Sequence, residues 1–266
     1  MADRVLPGPV ENEDFCRCQQ VNIHTMKITD ACRDKDCIED LRVYPTISSQ
    51  AVIDSAFTIR PISAELIYAD VNVDPISFNR GYYTVDVTYF YRIIGETFPG
   101  GVQIKGLAVF DKRVILFGSE GCVKTFTSGS NGFSVATRNA ANPLAVVEAV
   151  DPIALNLRIV DSSYVNSCET ELRNIPDSIL EIIGEELVLT NQLKKLYVTL
   201  GQFSMIRLER DTQLSLDDFK YYMPDKECVC SSDDDPCSLF SRVAFPTDEF
   251  YPPDSFPPCD NYKNLV

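Results

Sequence analysis

One run of alternating residues limits the fold of this chain more than any other feature. In GYYTVDVTYFYRIIG, residues 81–95, every second side chain is aromatic or β-branched. One face carries Tyr83, Val85, Val87, Tyr89, Tyr91 and Ile93, and the other carries Tyr82, Thr84, Asp86, Thr88 and Arg92. A period of two with these residue types predicts a half-buried β-strand.

Further strands are predicted on both sides of this run. SAELIYADVNV precedes it, and VQIKGLAVF and KRVILFG follow as a hairpin that turns at Asp111–Lys112. ALNLRIV and KLYVTLGQFSMIRLER alternate later in the chain. PDSILEIIGEELVL is spaced as a helix that Asp177 caps. The predicted fold is therefore mainly β, with one short helix.

A Gly/Ser-rich loop separates two strand-rich parts of the sequence. This division predicts two antiparallel β-sandwich-like modules. The first module covers residues 47–135 and the second covers residues 136–223. Both contain an Asp-Pro-Ile turn, which is compatible with a duplication. Residues 1–46 are predicted to form a cysteine-rich arm, and residues 224–266 an acidic, proline- and aromatic-rich arm that docks on its own domain or on a neighbouring copy.

Cysteines are concentrated near the two ends of the chain. Of the ten, only Cys122 and Cys168 lie in the long middle part; the others are Cys16, Cys18, Cys32, Cys37, Cys228, Cys230, Cys237 and Cys259. Cysteines that served only to fill a hydrophobic core would be spread more evenly along the sequence. Charged neighbours such as Arg33, Asp34 and Asp36 predict that the cysteines of the first group are exposed.

Two uses of these thiols remain open. In a C-x-C pair the two Cα atoms are near the upper limit for a disulfide, so each sulfur more readily bonds elsewhere, and the terminal cysteines then become cross-linking points between subunits. The alternative is a zinc-stabilised protein-binding module, whose structural zinc site is formed by Cys16, Cys18, Cys32 and Cys37, although their spacing is not diagnostic.

Charge and motif content exclude several classes of function. A net charge of −15 disfavours nucleic acid and anionic membranes as partners. No apolar run reaches the roughly 18 residues that a membrane span needs, and the acidic N-terminus does not resemble a signal peptide. His24 is the one histidine, in an alternating run that predicts an exposed strand position. No nucleophile–base constellation or phosphate loop is visible, so we predict a non-enzymatic protein without a cofactor.

Three stretches resemble one family of proteins. They are DFCRCQQVNIHTMKITDACRDKDCIEDLRVY, FNRGYYTVDVTYFYRI and GLAVFDKRVILFGSEG, and they are similar to cysteine-rich spore coat or exosporium proteins of clostridia and related spore formers. The resemblance implies a structural protein that assembles with itself, and with other coat proteins, into a disulfide-hardened layer. It also implies synthesis in the reducing mother-cell cytoplasm, then oxidation at the spore surface once that cell lyses.

Overall fold

The protein is mainly β, as the sequence predicts. The computed structural model describes residues 21–120, 142–161, 175–190, 192–216, 240 and 244–250. Their elements, in chain order, are β1 (Val21–Pro45), α1 (Ile47–Ser55), β2 (Thr58–Pro75), β3 (Tyr82–Phe98), β4 (Gln103–Phe117), β5 (Leu144–Ala149), β6 (Ile153–Asp161), α2 (Asp177–Ile183), β7 (Lys194–Leu216) and α3 (Thr247–Phe250).

All seven strands belong to one antiparallel sheet. Its order is β2-β3-β4-β1-β7-β5, and β6 also pairs with β7. β5 and β6 divide the outer edge of β7 between them, since β5 pairs with residues 204–209 and β6 with residues 194–201. The long β1 and β7 therefore form the central ribbon of the sheet.

The sheet curls until its two edges approach each other. The backbone N–H of Leu66 on β2 donates to the carboxylate of Asp151, between β5 and β6, at 2.9 Å. On the same side, a Cβ at Gly95 would lie 2.8 Å from the Leu157 side chain, so only glycine fits between β3 and β6. The result is a nearly closed barrel in which β2 lies beside β5 and β6 without a backbone ladder between them.

The predicted division into two sandwich-like modules is not confirmed. Strands from both predicted modules join one sheet through β1, which pairs with β4 on one side and with β7 on the other. Residues 21–45 are therefore a central strand and not part of an arm. Residues 1–20 of the predicted arm lie outside the described residues.

The predicted hairpin at Asp111–Lys112 is wrong. β4 runs unbroken through both residues, which pair with Thr88 and Val87 of β3. Asp111 accepts a hydrogen bond from the Thr88 hydroxyl at 2.6 Å, and Lys112 turns inward. Both charges find partners in the sheet, so the charged pair does not interrupt the strand.

The alternation in β3 is confirmed residue by residue. All six predicted apolar positions, from Tyr83 to Ile93, are at most 5% exposed and line the barrel interior. A second, smaller core lies outside the barrel, where Ile179 and Ile183 of α2 pack near Phe90 of β3 and Leu107 of β4.

Local signals account for the helix ends. Thr46 caps α1, because its hydroxyl accepts from the Ser49 N–H at 3.4 Å. α2 ends at Gly184, whose φ of 76° suits glycine. Asp177 lies in the first turn of α2 and does not cap it, so that part of the prediction is wrong. No helix among the described residues is long and apolar enough to cross a membrane.

Candidate functional site

Three buried charges lie together inside the barrel, and we call them the charge cluster. The side chains of Asp34 and Asp36 on β1 are 10% and 12% exposed, and that of Lys112 on β4 is 3% exposed. The Lys112 ammonium donates to a carboxylate oxygen of each aspartate. Charged groups are rarely buried to this degree unless they are paired.

The course of β1 explains how the cluster forms. β1 and β4 pair through their backbones only at residues 43–45. Beyond that point side chains bridge the two strands: Lys112 contacts both aspartates, and the Phe117 N–H donates to Asp30 at 3.0 Å. The cluster therefore closes the seam that the backbone ladder leaves open.

Charges do not balance within the cluster, because one ammonium faces two carboxylates. Burial raises the pKa of Asp36, and the nearby Asp34 adds to the rise while Lys112 opposes it. Two carboxylates that share one site resist ionising together. The raised pKa makes Asp36 easier to protonate than an aspartate in water.

Phenolic side chains surround the charge cluster. The rings of Tyr89 and Tyr91 stack with centroids 6.1 Å apart, and Phe110 stacks on Tyr89 at 6.3 Å. Burial raises the pKa of both phenols, and the nearby Asp36 carboxylate adds to both shifts. The Tyr91 hydroxyl is buried without a hydrogen-bond partner among the described residues. Around the cluster the interior is aromatic, and the buried polar residues Gln202 and Ser204 of β7 lie opposite Asp36 and Asp34.

Cysteines of β1 lie on opposite faces of the strand. Cys32 is 2% exposed and belongs to the interior core, whereas Cys37 faces outward beside Gly201 of β7. The predicted exposure of Cys32 is therefore wrong. Its charged neighbours Asp34 and Asp36 point inward with it and are neutralised there, so they do not draw this segment to the surface.

Both of these cysteines are disulfide-bonded. They cannot bond to each other, because five residues of extended strand separate their Cα atoms by about 16 Å, whereas a disulfide needs about 7 Å or less. Each bond therefore joins β1 to another cysteine of the chain.

The same separation bears on the alternative zinc set of Cys16, Cys18, Cys32 and Cys37. Cys32 and Cys37 cannot ligate one ion, because each sulfur would have to lie about 2.3 Å from it. Cys16 and Cys18 lie outside the described residues, as do Cys122, Cys168, Cys228, Cys230, Cys237 and Cys259. Within the described ranges, no group of three His, Cys, Asp or Glu side chains is placed to hold a metal ion.

His24 occupies the position that the sequence predicts. It lies on β1 opposite Gln213 and is exposed to solvent. It is ten residues from Asp34 along an extended strand, or about 33 Å. His24 therefore does not reach the charge cluster.

An aromatic cover lies on the outer face of the β1–β7 ribbon, and it consists of Phe203, Phe240, Phe245 and Phe250. Phe203 contacts Phe240 and Phe245 at centroid distances of 4.9 and 5.5 Å, and Phe250 stacks on Phe245 at 5.0 Å. A Cβ at Gly201 would lie 2.5 Å from the Phe240 ring, so this glycine makes room for the ring. The described part of the acidic C-terminal region thus packs on its own barrel.

Sequence reasoning missed the charge cluster. It assigned Lys112 to a turn and used Asp34 and Asp36 as signs of exposure. A usable signal was present, because Cys32, Asp34, Asp36 and Ile38 alternate on one face of what is now β1. Recognising that face as interior needs the partner strand, which lies far away in the sequence.

Comparisons with protein-family models, with curated proteins and with solved structures find no match to this chain.

Proposed function

We propose that the protein is a structural subunit that assembles with itself into a disulfide-cross-linked layer at the surface of bacterial spores. The barrel is the rigid body of the subunit, and the cysteine-rich terminal segments join one subunit to the next. Other spore coat proteins are further partners. No catalytic residue or cofactor is part of this proposal.

One observation carries the proposal: both described cysteines are already in disulfides. Cys32 and Cys37 sit on the two faces of the central strand, and each is bonded to a cysteine elsewhere in the chain. Bonds from one strand in two directions make the barrel hard to open, since a disulfide restricts the unfolded chain. A subunit of a resistant layer needs such a body.

The net charge and the positions of the terminal cysteines support the other two parts of the proposal, which are solubility before oxidation and cross-linking between subunits. A net charge of −15 keeps separate subunits in solution before oxidation. Cys16 and Cys18 precede β1, and Cys228 and Cys230 follow β7, so in the sequence both thiol pairs adjoin the same end of the central ribbon, where Val21 pairs with Leu216. Several links per subunit then act together, which strengthens a layer by avidity. The spore surface as the location depends on the sequence resemblance.

The decisive experiment separates bonds within a subunit from bonds between subunits. Equal amounts of unlabelled and heavy-nitrogen-labelled protein are mixed in reductant, oxidised together and digested without reduction. Mass spectrometry then reads the label of each disulfide-linked peptide pair. We expect pairs that contain Cys32 or Cys37 to carry one label, and at least one pair between two other terminal cysteines to carry both labels.

A matched set of variants checks the same point in assembly. Changing Cys16, Cys18, Cys228 and Cys230 together to Ser is expected to remove reductant-sensitive ladders from electrophoresis and ordered sheets from electron micrographs. The control variant, in which Cys122 and Cys168 are changed to Ser, is expected to keep both the ladders and the ordered sheets. Circular dichroism confirms that each variant is folded. If the fourfold variant assembles like the parent, or if no peptide pair carries both labels, the proposal fails.

A further inference from the structure

We propose that Lys112 and Asp36 form an intramolecular isopeptide bond, with Asp34 as the base that activates the lysine. The amide would join the Nζ atom of Lys112 to the Cγ atom of Asp36. It would link β4 to β1 across the seam where these strands lack backbone pairing. This inference concerns the barrel interior and does not depend on the proposed function.

Contact is the first requirement for the reaction, and the charge cluster meets it. The Lys112 ammonium contacts both aspartates directly, from an adjacent strand held in place by the pairing of β4 with β3. Groups held in contact react as if at very high concentration, with effective molarities up to about 10⁵–10⁸ M. A condensation that is negligible between free side chains is therefore accessible here.

A dry environment is the second requirement, because condensation needs a neutral amine and a neutral carboxylic acid. The three side chains are 3–12% exposed, and Tyr89, Tyr91 and Phe110 occupy the interior beside them. Burial disfavours charged forms of both lysine and aspartate. The amide replaces buried charges with a neutral group, which removes the cost of keeping those ions away from water.

A second carboxyl group is the third requirement, and Asp34 supplies it. Burial raises the pKa of Asp36 and so favours its neutral form, which acts as the electrophile. Asp34 contacts the Lys112 ammonium directly. A positioned carboxylate at this distance is suited to general base catalysis.

The reaction balances without an oxidant or a co-reactant. Asp34 takes a proton from the Lys112 ammonium, and the neutral amine attacks Cγ of the protonated Asp36. The new C–N bond forms while the C–OH bond breaks, and the hydroxyl leaves as water with a proton from the nitrogen. The products are a Lys112–Asp36 amide, one water molecule and a protonated Asp34. The total charge does not change.

Intact-mass spectrometry of the fully reduced, full-length protein tests the bond. We expect a mass lower than that of the sequence by one water molecule. After digestion, we expect a branched peptide that joins the Lys112 segment to the Asp36 segment. A mass equal to that of the unmodified chain overturns the proposal.

Two variants exclude dehydration elsewhere, such as succinimide formation. Lys112→Arg keeps the positive charge but cannot form this amide, so we expect the full sequence mass. Asp34→Asn keeps the shape of the base but removes its basicity, so we expect slow or absent water loss with Lys112 and Asp36 intact. If the mass deficit persists in Lys112→Arg, or if the branch maps to other residues, the proposal is wrong. The wild-type mass alone decides the matter should a variant fail to fold.

Discussion

The two faces of residues 32–37 on β1 hold their charges in different ways. On the inner face, Asp34 and Asp36 meet Lys112 at direct contact, away from water. On the outer face, Arg33 and Lys35 lie over the rings of the aromatic cover, with Lys35 5.1 Å from the Phe240 centroid and Arg33 5.8 Å from that of Phe245. Both outer cations remain partly exposed.

One strand therefore carries two kinds of electrostatic contact that differ in their expected contribution to stability. Removing one partner from a buried ion pair costs about 3–5 kcal/mol, because the other charge stays buried. A partly exposed cation–π contact contributes about 0.5–1 kcal/mol. The inner face is therefore expected to control stability, whereas the outer face mainly positions the aromatic cover.

The largest effect is expected from Lys112→Ala. The change removes the group that contacts or is joined to both aspartates and leaves two buried carboxyl groups unpaired, so the free energy of unfolding is expected to fall by at least about 3–5 kcal/mol. Urea denaturation followed by circular dichroism measures the change.

The matched control for that variant removes the whole cluster. Lys112→Met combined with Asp34→Val and Asp36→Val leaves no buried charge, so this triple variant is expected to be more stable than Lys112→Ala. If the two variants were equally stable, unpaired charge would not be the cause of the lower stability of Lys112→Ala.

Gly201→Ala is expected to have the next largest effect, on the outer face. The new Cβ would lie 2.5 Å from the Phe240 ring, so the ring must move off β7. Overpacking of this kind costs about 1–3 kcal/mol. In a Phe240→Ala background the same change is expected to cost much less, because the obstructing ring is gone. A cost that is unchanged in that background would contradict the packing assigned to Phe240.

Tyr91→Phe is expected to stabilise the protein by about 1 kcal/mol, because it removes a buried hydroxyl that has no hydrogen-bond partner among the described residues. Ser204→Ala is the contrasting variant: its hydroxyl lies close enough to Tyr89 to lower the pKa of that phenol, so its removal is expected to bring no comparable gain in stability. A loss of stability in Tyr91→Phe would mean that this hydroxyl is hydrogen-bonded in solution.

The same variant makes a second prediction about alkaline pH. Burial raises the pKa of Tyr91 in the folded protein, so the unfolded chain releases this proton first. The free energy of unfolding is therefore expected to fall as pH rises above the ordinary phenol pKa of about 10. Tyr91→Phe is expected to weaken that decline, as measured by urea denaturation at a series of pH values.

The smallest effect is expected from Lys35→Gln. This change removes the cation from the Phe203 and Phe240 rings and is expected to cost about 0.5 kcal/mol. Arg33→Gln is the matched variant above Phe245. If either change costs as much as Lys112→Ala, the contrast between the two faces is wrong.

Local patterns predicted the strands but not how the strands join. The alternation from Tyr83 to Ile93 identified β3, and the alternation in β7 placed Leu196, Val198 and Leu200 in the interior. The residues alone could not show that the two halves share one sheet. The single sheet depends on β1, which pairs with β7 although most of the sequence separates the two strands.

Charged residues caused the main errors for the same physical reason. Lys112 was assigned to a turn and Asp36 to an exposed segment, because an isolated charge is costly to bury. The partner that removes this cost lies 76 residues away along the chain, so no local pattern contains it. The cysteines share this difficulty, since Cys32 and Cys37 are bonded to cysteines beyond their own strand.

Peptide mapping of the oxidised protein without reduction is the most direct test of the account. The account places Cys32 and Cys37 on opposite faces of one extended central strand, each in a different disulfide. It therefore predicts two separate linked peptides, one for each cysteine, and none that joins Cys32 to Cys37. A peptide with a Cys32–Cys37 bond, or recovery of both residues as free thiols, would contradict it.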